Sequence, residues 1–406
     1  MKIINISFKI FKFAVCALIL LLIRFLSLFY VIKFDCSHSS RIGHLTGILS
    51  LYLSERHVNN LNKKSSFEFF IHERIISNQH IVKLLSRKIF FLSSFFYPIL
   101  ILNRWLPGGT RHLINHRNDY FDKRRVWEHR DVKNLIDTTS VPVQFTMEEI
   151  QNAENESNKI GINKKDKIII VNIRDSNYLE TIYPDFDRSY KTQNADIKSY
   201  KKAIEYLLDR GYKIIRCGLY HRDSINISNK NYIDLFNRGV RTSLLENYLT
   251  HICLFQIGSY SGGTIPAHFL FRKPVIYTNY IPLNELHLGS YKIYIILKKI
   301  YDKKRKKNIT TSEYFDLLNT SFGPRLLNAP VDLPPHRDVR YRSNINFKNL
   351  FSKYQKEDFE IIDNTQDEIL DAVLELLIQI ESSSLYGKNV NLENIRFIKI
   401  FLKNLK

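Results

Sequence analysis

A turn rich in glycine and hydroxyl groups carries the clearest chemical signal in the sequence. It reads GSYSGGT, starts at Gly258 and follows an apolar run that ends at Ile257. Glycines allow positive φ and close backbone approach, and a helix that begins directly after them points unpaired N–H groups at the turn. With the hydroxyls of Ser259, Ser261 and Thr264, the turn could hold an anion, most simply a diphosphate. A tight strand-to-helix turn that binds nothing is an equally good interpretation of this segment alone.

Two further predicted strand ends carry candidate groups. The β-branched run IIIVNI predicts a buried parallel strand that ends in Arg174 and Asp175. The run YKIIRCG predicts the next strand, which delivers Arg216 and Gly218. Because the carboxyl ends of parallel strands share one edge of a sheet, we expect these groups and the glycine turn to converge on one crevice. Arg174 could recognise phosphate or sugar there, and a structural Arg174–Asp175 pair is the alternative.

A third candidate loop lies near the N-terminus. The run FYVIKF predicts a strand, and the loop after it contains Arg41, Gly43 and His44 before a helical run begins. Ligands bind at the carboxyl ends of strands in open α/β sheets, so Arg41 and Gly43 are candidates for ligand contacts. His44 has an ordinary pKa close enough to neutrality for general-base work, and a polar capping role is its alternative.

Strands and helices alternate along most of the chain, which predicts an α/β fold with two Rossmann-like domains facing a cleft. A capping box of Thr146 and Glu149 starts a polar linker helix between them. The predicted divisions are a membrane-associated helix at 1–27, a first domain at 28–150, a second domain at 151–340 and a C-terminal portion at 341–406. The basic run at 298–307 is predicted to lie between helical segments. The C-terminal portion is predicted to hold a strand at 359–363 and an amphipathic helix from Asp367 to about Ser382, which begins at a capping box of Thr365 and Glu368. Its strand and helices could pack back on the first domain.

The N-terminus is strongly apolar. Residues 13–23 form an unbroken apolar run that ends at Arg24, and Lys2, Lys9 and Lys12 precede it. A helix that crosses a bilayer needs about 20 apolar residues, and no small-residue cleavage site follows the run. We therefore predict a membrane-associated helix, with a buried core helix as the alternative.

The charge composition limits which classes of binding partner are expected. Sixty Lys and Arg against 40 Asp and Glu give a net charge of +20, which suits an anionic partner. The lysines are scattered instead of forming a stripe, so nucleic-acid binding is not expected. The four cysteines have no metal-ligand spacing, and a DxD triplet at 185–187 lies in a polar loop, so we predict no metal and no cofactor.

Several of these segments recur, in the same order, in a family of bacterial glycosyltransferases linked to surface polysaccharide synthesis, which the sequence resembles. The family motifs R-I-G-H, R-D-S-x-Y-L, G-Y-x-V-x-R-x-G, G-[ST]-x-S-G and N-T-x-x-E-I-x-x-A-V-x-E correspond to residues 41–44, 174–179, 211–218, 258–262 and 364–375. One departure is that the arginine expected just before Asn194 is absent. Lys191 is the nearest cation and keeps the charge, although it lacks the bidentate geometry of arginine.

The resemblance implies a metal-independent GT-B glycosyltransferase with an acceptor site in the first domain and a nucleotide-sugar site in the second. Arg174 would then be catalytic as the stabiliser of the departing charge, and Arg41 and Gly43 would contact the acceptor. The resemblance does not assign the base, and His44 is the candidate because of its position at the cleft and its ordinary pKa. The residues assigned to the donor are Asp175, Tyr178, Lys191, Asn194, Asp196, Arg216, Gly218, Ser259, Ser261, Gly262, Gly263 and Thr264.

We accordingly expect transfer of a sugar from a nucleotide-sugar donor to a glycan or lipid-linked acceptor in cell-surface polysaccharide synthesis. The predicted location is the cytoplasmic face of the inner membrane, with peripheral or single-pass attachment. A non-catalytic, membrane-tethered subunit that assembles or binds glycans is the alternative. A sugar-nucleotide epimerase is a second alternative, although the loop at 35–44 offers only Asp35 as a carboxylate.

Overall fold

The computed structural model describes residues 2–58, 66–114, 131, 134–175, 177–182, 193–221, 223–281, 292–310, 313 and 358–381. An apolar helix, α1 (Lys2–Leu26), comes first, and a parallel α/β segment follows it. The elements of that segment are β1 (Val31–Cys36), α2 (Ile42–Val58), β2 (Ser66–Ile71), α3 (Gln79–Ser86), β3 (Phe90–Leu92) and α4 (Pro98–Trp105). The predicted strand near residues 29–34 is thus present, two residues later than its sequence pattern placed it.

The first sheet has the order β1-β2-β3, and both strand pairs are parallel. Its strands are rich in phenylalanine, and the side chains of Phe34 and Phe70 are fully buried. Helix α2 covers this sheet with Leu45, Ile48 and Leu49, none of which is exposed to solvent. Burial of this apolar surface holds the first layer of the protein together.

A short helix, α5 (Leu135–Thr138), and a polar helix, α6 (Met147–Lys159), lead to the second sheet. The predicted capping box is confirmed, because the Thr146 hydroxyl accepts the Glu149 N–H and the Glu149 carboxylate accepts the Thr146 N–H. Glu149 is buried and also forms ion pairs with Lys83 of α3 and with Arg87, which directly follows that helix. The linker helix is therefore joined to the first layer by a buried carboxylate.

The second sheet has six parallel strands in the order β6-β5-β4-β7-β8-β9. The strands are β4 (Ile168–Asn172), β5 (Lys213–Arg216), β6 (Tyr232–Asp234), β7 (Phe255–Ser259), β8 (Val275–Tyr280) and β9 (Ile293–Leu297). The helices among them are α7 (Asn177–Ile182), α8 (Lys201–Asp209) and α9 (Ser243–Ile252), and a π-helical turn, Pro266–Leu270, follows β7. Every residue of β4 is buried, as its β-branched run predicted, and every residue of β7 is buried as well.

The C-terminal part forms a small antiparallel sheet and a long helix. Strands β10 (Lys299–Asp302), β11 (Lys307–Asn308) and β12 (Phe359–Ile362) have the order β11-β10-β12. The prediction that the basic run at 298–307 lies between helical segments was wrong, because this run forms the β10–β11 hairpin with Arg305 paired to Asp302. Lysine-rich hairpins lack the apolar alternation by which a strand is recognised in a sequence.

Helix α10 (Gln366–Glu381) begins at the predicted capping box of Thr365 and Glu368. Its apolar face, which includes Ile369 and Val373, packs into the core of the second sheet beside α8. The described part of the C-terminal portion therefore covers the second sheet. Residues 382–406 lie outside the described residues, and the predicted packing of this portion on the first domain stays a prediction.

The predicted fold class is confirmed as α/β with parallel sheets and an apolar N-terminal helix. The two sheets are packed together through α2, because Leu51 of this helix shares a buried cluster with Tyr260 and Ile265, which follow β7. In return, Leu270 and Phe271 enter the core of the first layer. This shared packing places the carboxyl ends of both sheets next to each other.

We expect the Glu149→Gln variant to lose stability on the order of 2–3 kcal/mol at pH 7. Burial by itself raises the pKa of Glu149, but its hydrogen bonds to Arg87, the Thr146 N–H and Lys83 lower the pKa to about 2 from an ordinary value of 4.5. A carboxyl whose pKa is lower in the folded state stabilises the fold at pH values above its pKa in the unfolded chain. The difference in unfolding free energy between the variant and wild type should therefore shrink as the pH falls from 4.5 toward 2.

Urea unfolding of both proteins at pH 7 and at pH 3.5 measures this difference. The exposed neighbour provides the matched control, since Glu148→Gln should change the unfolding free energy by less than about 0.5 kcal/mol. A pH-independent loss in Glu149→Gln would show that the ion pairs do not provide the stabilisation.

Candidate functional site

Strand β4 lies at the centre of the second sheet, and its last residue, Asn172, organises the neighbouring loops. The Asn172 side chain is buried, and its Nδ2 donates a hydrogen bond of 3.3 Å to the carbonyl of Gly263. A Cβ at Gly263 would lie 2.6 Å from this Nδ2, and one at Gly218 would lie 3.9 Å from the Asn172 Oδ1. The ends of β4, β5 and β7 therefore meet around one amide, as the strand order requires.

The three hydroxyls of the turn after β7 have different roles. Ser259 Oγ accepts the backbone N–H of Arg174 at 2.7 Å, which ties the ends of β7 and β4 together. Thr264 Oγ1 donates to the carbonyl of Ser261 at 2.7 Å and closes the turn on itself. Ser261 Oγ is buried and makes no hydrogen bond to any residue that the structure describes. Of the three, Ser261 is the hydroxyl left available for a ligand.

The end of β4 is held from both sides. Besides the bond from Ser259, the carbonyl of Arg174 accepts the N–H of Ala195 at 3.0 Å. The Asp175 carboxylate accepts the N–H of Asn177 at 2.9 Å, at the start of α7. The structure thus gives the segment that carries Arg174 and Asp175 a fixed backbone beside the glycine turn.

The end of β5 is a buried charge cluster. The Arg216 guanidinium lies 3.3 Å from the Asp234 carboxylate, and His221 lies 3.5 Å from the same carboxylate. Burial raises the pKa of Asp234, but the hydrogen bond from His221 and that from the Asn237 N–H, with the charges of His221 and Arg216, lower it overall. Arg216 is therefore buried and paired with Asp234 at the end of β5. Its predicted contact with a donor stays a prediction.

Gly218 follows β5 with a φ of +116°, which a residue with a side chain rarely adopts. Its N–H donates to the Glu246 carboxylate of α9 at 3.0 Å, and Glu246 also forms an ion pair with Arg241. A Cβ at Gly218 would lie 3.0 Å from the His221 ring. The loop after β5 can therefore pass this close to His221 only as glycine.

The glycine turn of the second sheet contacts the start of α2 from the first. A Cβ at Gly43 would lie 2.8 Å from the Cα of Gly262, and a Cβ at Gly262 would lie 3.3 Å from the N of Gly43. A turn and the first turn of a helix, more than 200 residues apart in the sequence, are thus in backbone contact. We call this contact between Gly43 and Gly262 the glycine seam.

His44 and Arg41 flank the glycine seam on the side of the first sheet. His44 lies in the first turn of α2, partly exposed, with its ring centroid 6.1 Å from that of His38. Arg41 precedes α2, and its carbonyl accepts the N–H of Leu45. The structure therefore brings Arg41, Gly43 and His44 to the same edge as the turn at Ser261.

A possible set of metal ligands lies beside His44. One donor atom from each of Cys36, His38 and Glu73 lies within 4.8 Å of the other two, at the carboxyl ends of β1 and β2. Thiolate, imidazole and carboxylate are ligands that suit zinc. Two of these residues already accept hydrogen bonds from the backbone: Cys36 Sγ accepts the His38 N–H, and the Glu73 carboxylate accepts the Ser40 N–H. The predicted absence of a metal therefore stays a prediction.

Four predicted donor residues, Tyr178, Lys191, Asn194 and Asp196, follow the end of β4 in the sequence. Asp196 is exposed and caps a 3₁₀ turn, Ile197–Tyr200, by accepting the Lys198 N–H at 2.9 Å. Asn194 accepts Lys298 through its carbonyl, and its Oδ1 is buried with no hydrogen bond inside the described part of the chain. Tyr178 belongs to α7, its side chain is not among those described, and Lys191 lies outside the described residues.

Sequence reasoning missed Asn172, Glu246 and His221. Asn172 carried a signal, because it is the one amide in a β-branched run and stands at a strand end where ligands bind. Glu246 and His221 carried none, since Glu246 contacts Gly218 from α9 and His221 approaches it only through the conformation of their shared loop.

Comparison with solved structures gives several likenesses, and two glycosyltransferases are among them. No family model matches the sequence, and no curated protein matches it. The iron-containing dodecameric glycosyltransferase TibC from enterotoxigenic E. coli is 12% identical at a TM-score of 0.41, covering 86% of this chain and 76% of its own. The ADP-heptose lipopolysaccharide heptosyltransferase II of E. coli is 11% identical at a TM-score of 0.41, covering 78% of this chain and 98% of its own. Likenesses this distant do not decide function, so the chemistry below rests on the contacts of this chain.

We expect Gly43→Ala to lower the free energy of unfolding by about 1–3 kcal/mol. The added methyl would meet the backbone of Gly262, which cannot rotate away as a side chain could. Gly262→Ala is the matched comparison, because its Cβ has nothing nearer than 3.3 Å and should cost less. Chemical denaturation of the two variants shows which one loses more unfolding free energy. An equal loss, or a larger loss in Gly262→Ala, would show that the glycine seam is not tightly packed.

Proposed function

We propose that this chain is a glycosyltransferase that takes a sugar from a nucleotide-sugar donor. The observation that carries the proposal is the glycine seam, which brings the turn with the available Ser261 hydroxyl against the first turn of α2. An anion-binding turn from one parallel sheet and a histidine from the other thus flank one contact. Donor and acceptor would meet at such a junction between two α/β layers.

The donor diphosphate would bind at the turn after β7. Backbone N–H groups of the turn and the Ser261 hydroxyl can donate to phosphate oxygens, and the positive end of the α2 dipole is oriented to favour negative charge. Arg174 begins the neighbouring loop, whose backbone is already fixed by Ser259 and Ala195. Its guanidinium would stabilise the charge that grows on the departing nucleotide.

In the transfer step, an acceptor hydroxyl attacks the anomeric carbon of the sugar. A new C–O bond forms, the bond between that carbon and the phosphate oxygen breaks, and its electron pair leaves with the nucleoside diphosphate. His44 would take the proton of the attacking hydroxyl, since imidazole is the side chain most often used as a general base. Arg41 and Gly43 would line the acceptor side of the glycine seam.

We propose that this chemistry needs no metal or other cofactor, with Arg174 and the turn amides neutralising the diphosphate. Asp175, Tyr178, Lys191, Asn194, Asp196, Arg216 and Gly218 stay proposed donor residues. The acceptor would be a glycan or lipid-linked saccharide of cell-surface polysaccharide synthesis, made at the cytoplasmic face of the inner membrane.

We expect UDP- or GDP-linked sugars to raise the melting temperature of the protein, because a ligand that binds only the folded state stabilises it. Ser261→Asp should abolish the rise, since its carboxylate would repel phosphate. A thermal-shift panel of UDP-, GDP-, CMP- and ADP-linked sugars measures this in the presence of EDTA. Ser228→Asp adds the same charge at an exposed position and should keep the rise. No rise with any nucleotide sugar would contradict the proposal.

We expect His44→Gln to lower the rate of sugar transfer or of donor hydrolysis by about 10²–10⁴-fold. Its melting-temperature rise with the donor should be kept, since the base does not contact the diphosphate. His38→Gln, which alters the neighbouring ring, is the control and should retain most of the rate. Donor binding without turnover in the wild-type chain would instead favour a non-catalytic glycan-assembly subunit.

A further inference from the structure

Helix α1 is attached to the first domain along one narrow stripe. Cys16, Leu20 and Ile23 are between 0% and 7% exposed and belong to a buried cluster that includes Ile99 and Leu100 of α4. These three positions repeat with the period of a helix, so they form a single line along α1. The helix thus lies against the domain on one side only.

Two basic side chains hold α1 in this position. Lys12 donates to the carbonyl of Ser94 at 2.9 Å, and its ammonium lies 5.6 Å from the centroid of the Phe95 ring. Arg24 donates to the carbonyl of Pro107 at 2.6 Å and to Asn103 Oδ1 at 3.0 Å. Twelve residues of helix separate the two cations, so about 18 Å of α1 is tied to the domain.

The rest of the α1 surface is apolar and exposed. A side chain such as Leu18, which is 68% exposed, or Phe25, which is 59% exposed, lies opposite the buried stripe. The exposed apolar residues of this region are Ile6, Phe8, Ile10, Phe11, Phe13, Leu18, Leu21, Leu22, Phe25, Leu26, Leu28 and Phe29, and we call them the apolar face. Monomeric soluble proteins rarely expose a continuous apolar surface of this size.

The apolar face extends to the loop that Arg24 binds. Trp105 is 76% exposed and adjoins Leu106, whose carbonyl is among the acceptors of the Arg24 guanidinium. Exposed Lys9 and Arg104 accompany the apolar residues at the two ends of the region. Tryptophan and basic residues beside an apolar surface match the headgroup level of an anionic bilayer.

We propose that α1 lies in the plane of the membrane, with the apolar face inserted among anionic lipids and the first domain on top of it. The 6–26 segment is long and apolar enough to cross a bilayer. Crossing, however, would break the bonds of Lys12 and Arg24 and expose the α4 side of the buried stripe to water. It would also place Arg24 in hydrocarbon, away from the carbonyls that it now contacts. This inference does not depend on the proposed function.

Binding of the full chain to vesicles of phosphatidylglycerol and phosphatidylethanolamine tests the apolar face. The Leu18→Glu/Phe25→Glu variant should bind about 100-fold more weakly, about tenfold for each side chain, at an unchanged melting temperature. The control is Met147→Glu/Ile378→Glu, which adds the same charges at positions 81% and 65% exposed on α6 and α10, and it should bind like wild type. Unchanged vesicle binding by the α1 variant would overturn the proposal. So would a dimer, seen by sedimentation, that this variant converts to monomer without loss of binding.

The position of the N-terminus distinguishes lying in the plane from crossing. The four native cysteines are buried, so single cysteines introduced by Lys9→Cys and Ser228→Cys can be labelled selectively. Lys9 is exposed and lies two turns before Cys16, on the side of α1 that faces away from the lipid. With a membrane-impermeant maleimide, both should react in inside-out membrane vesicles and neither in right-side-out vesicles. Labelling of the Lys9→Cys protein only from the face opposite the Ser228→Cys protein would show that α1 crosses the membrane.

Discussion

The backbone contact between Gly43 and Gly262 determines how the two halves of this protein meet. Any side chain at Gly43 would push the start of α2 away from the turn after β7. The surrounding packing makes that separation costly, because Leu51 of α2 is buried with Ile265 and Phe271 is buried in the first layer. Close packing of this kind leaves little conformational freedom for the backbone at the glycine seam.

The polar groups around the glycine seam fall into two sets. One set bonds to other groups of the protein and fixes the ends of β7 and β5; it consists of Ser259, Thr264 and Arg216. Asn172 joins these ends through Gly263. This internal set keeps the loop backbones in place, so that a group such as the Ser261 hydroxyl can meet a ligand without first being ordered.

The N-terminal helix and the glycine seam are linked by one strand. Strand β1 starts shortly after the end of α1 and runs to Cys36, so that roughly 17 Å of strand separates the end of α1 from the loop that carries Arg41 and His44. A helix lying in the membrane plane would hold this loop at a set height above the lipid. An acceptor attached to lipid could then reach the glycine seam without leaving the bilayer.

The sequence by itself determined most of the α/β elements and both capping boxes. Buried parallel strands are β-branched, and capping boxes are local hydrogen bonds between residues three apart, so both are visible in a short window. The sequence also identified which strand ends carry chemically useful groups, such as Arg174 and Ser261. It misplaced the basic β10–β11 hairpin, whose pattern has no apolar alternation.

Only the tertiary structure decided what those groups do to one another. The Gly43–Gly262 contact, the use of Arg216 by Asp234 and the grouping of Cys36, His38 and Glu73 all join residues from separate elements. The strand order decides which loops become neighbours, and one sequence alone does not encode that order in any local pattern. For the same reason, the sequence showed that α1 is apolar, while its docking on α4 decided which side of the helix stays exposed.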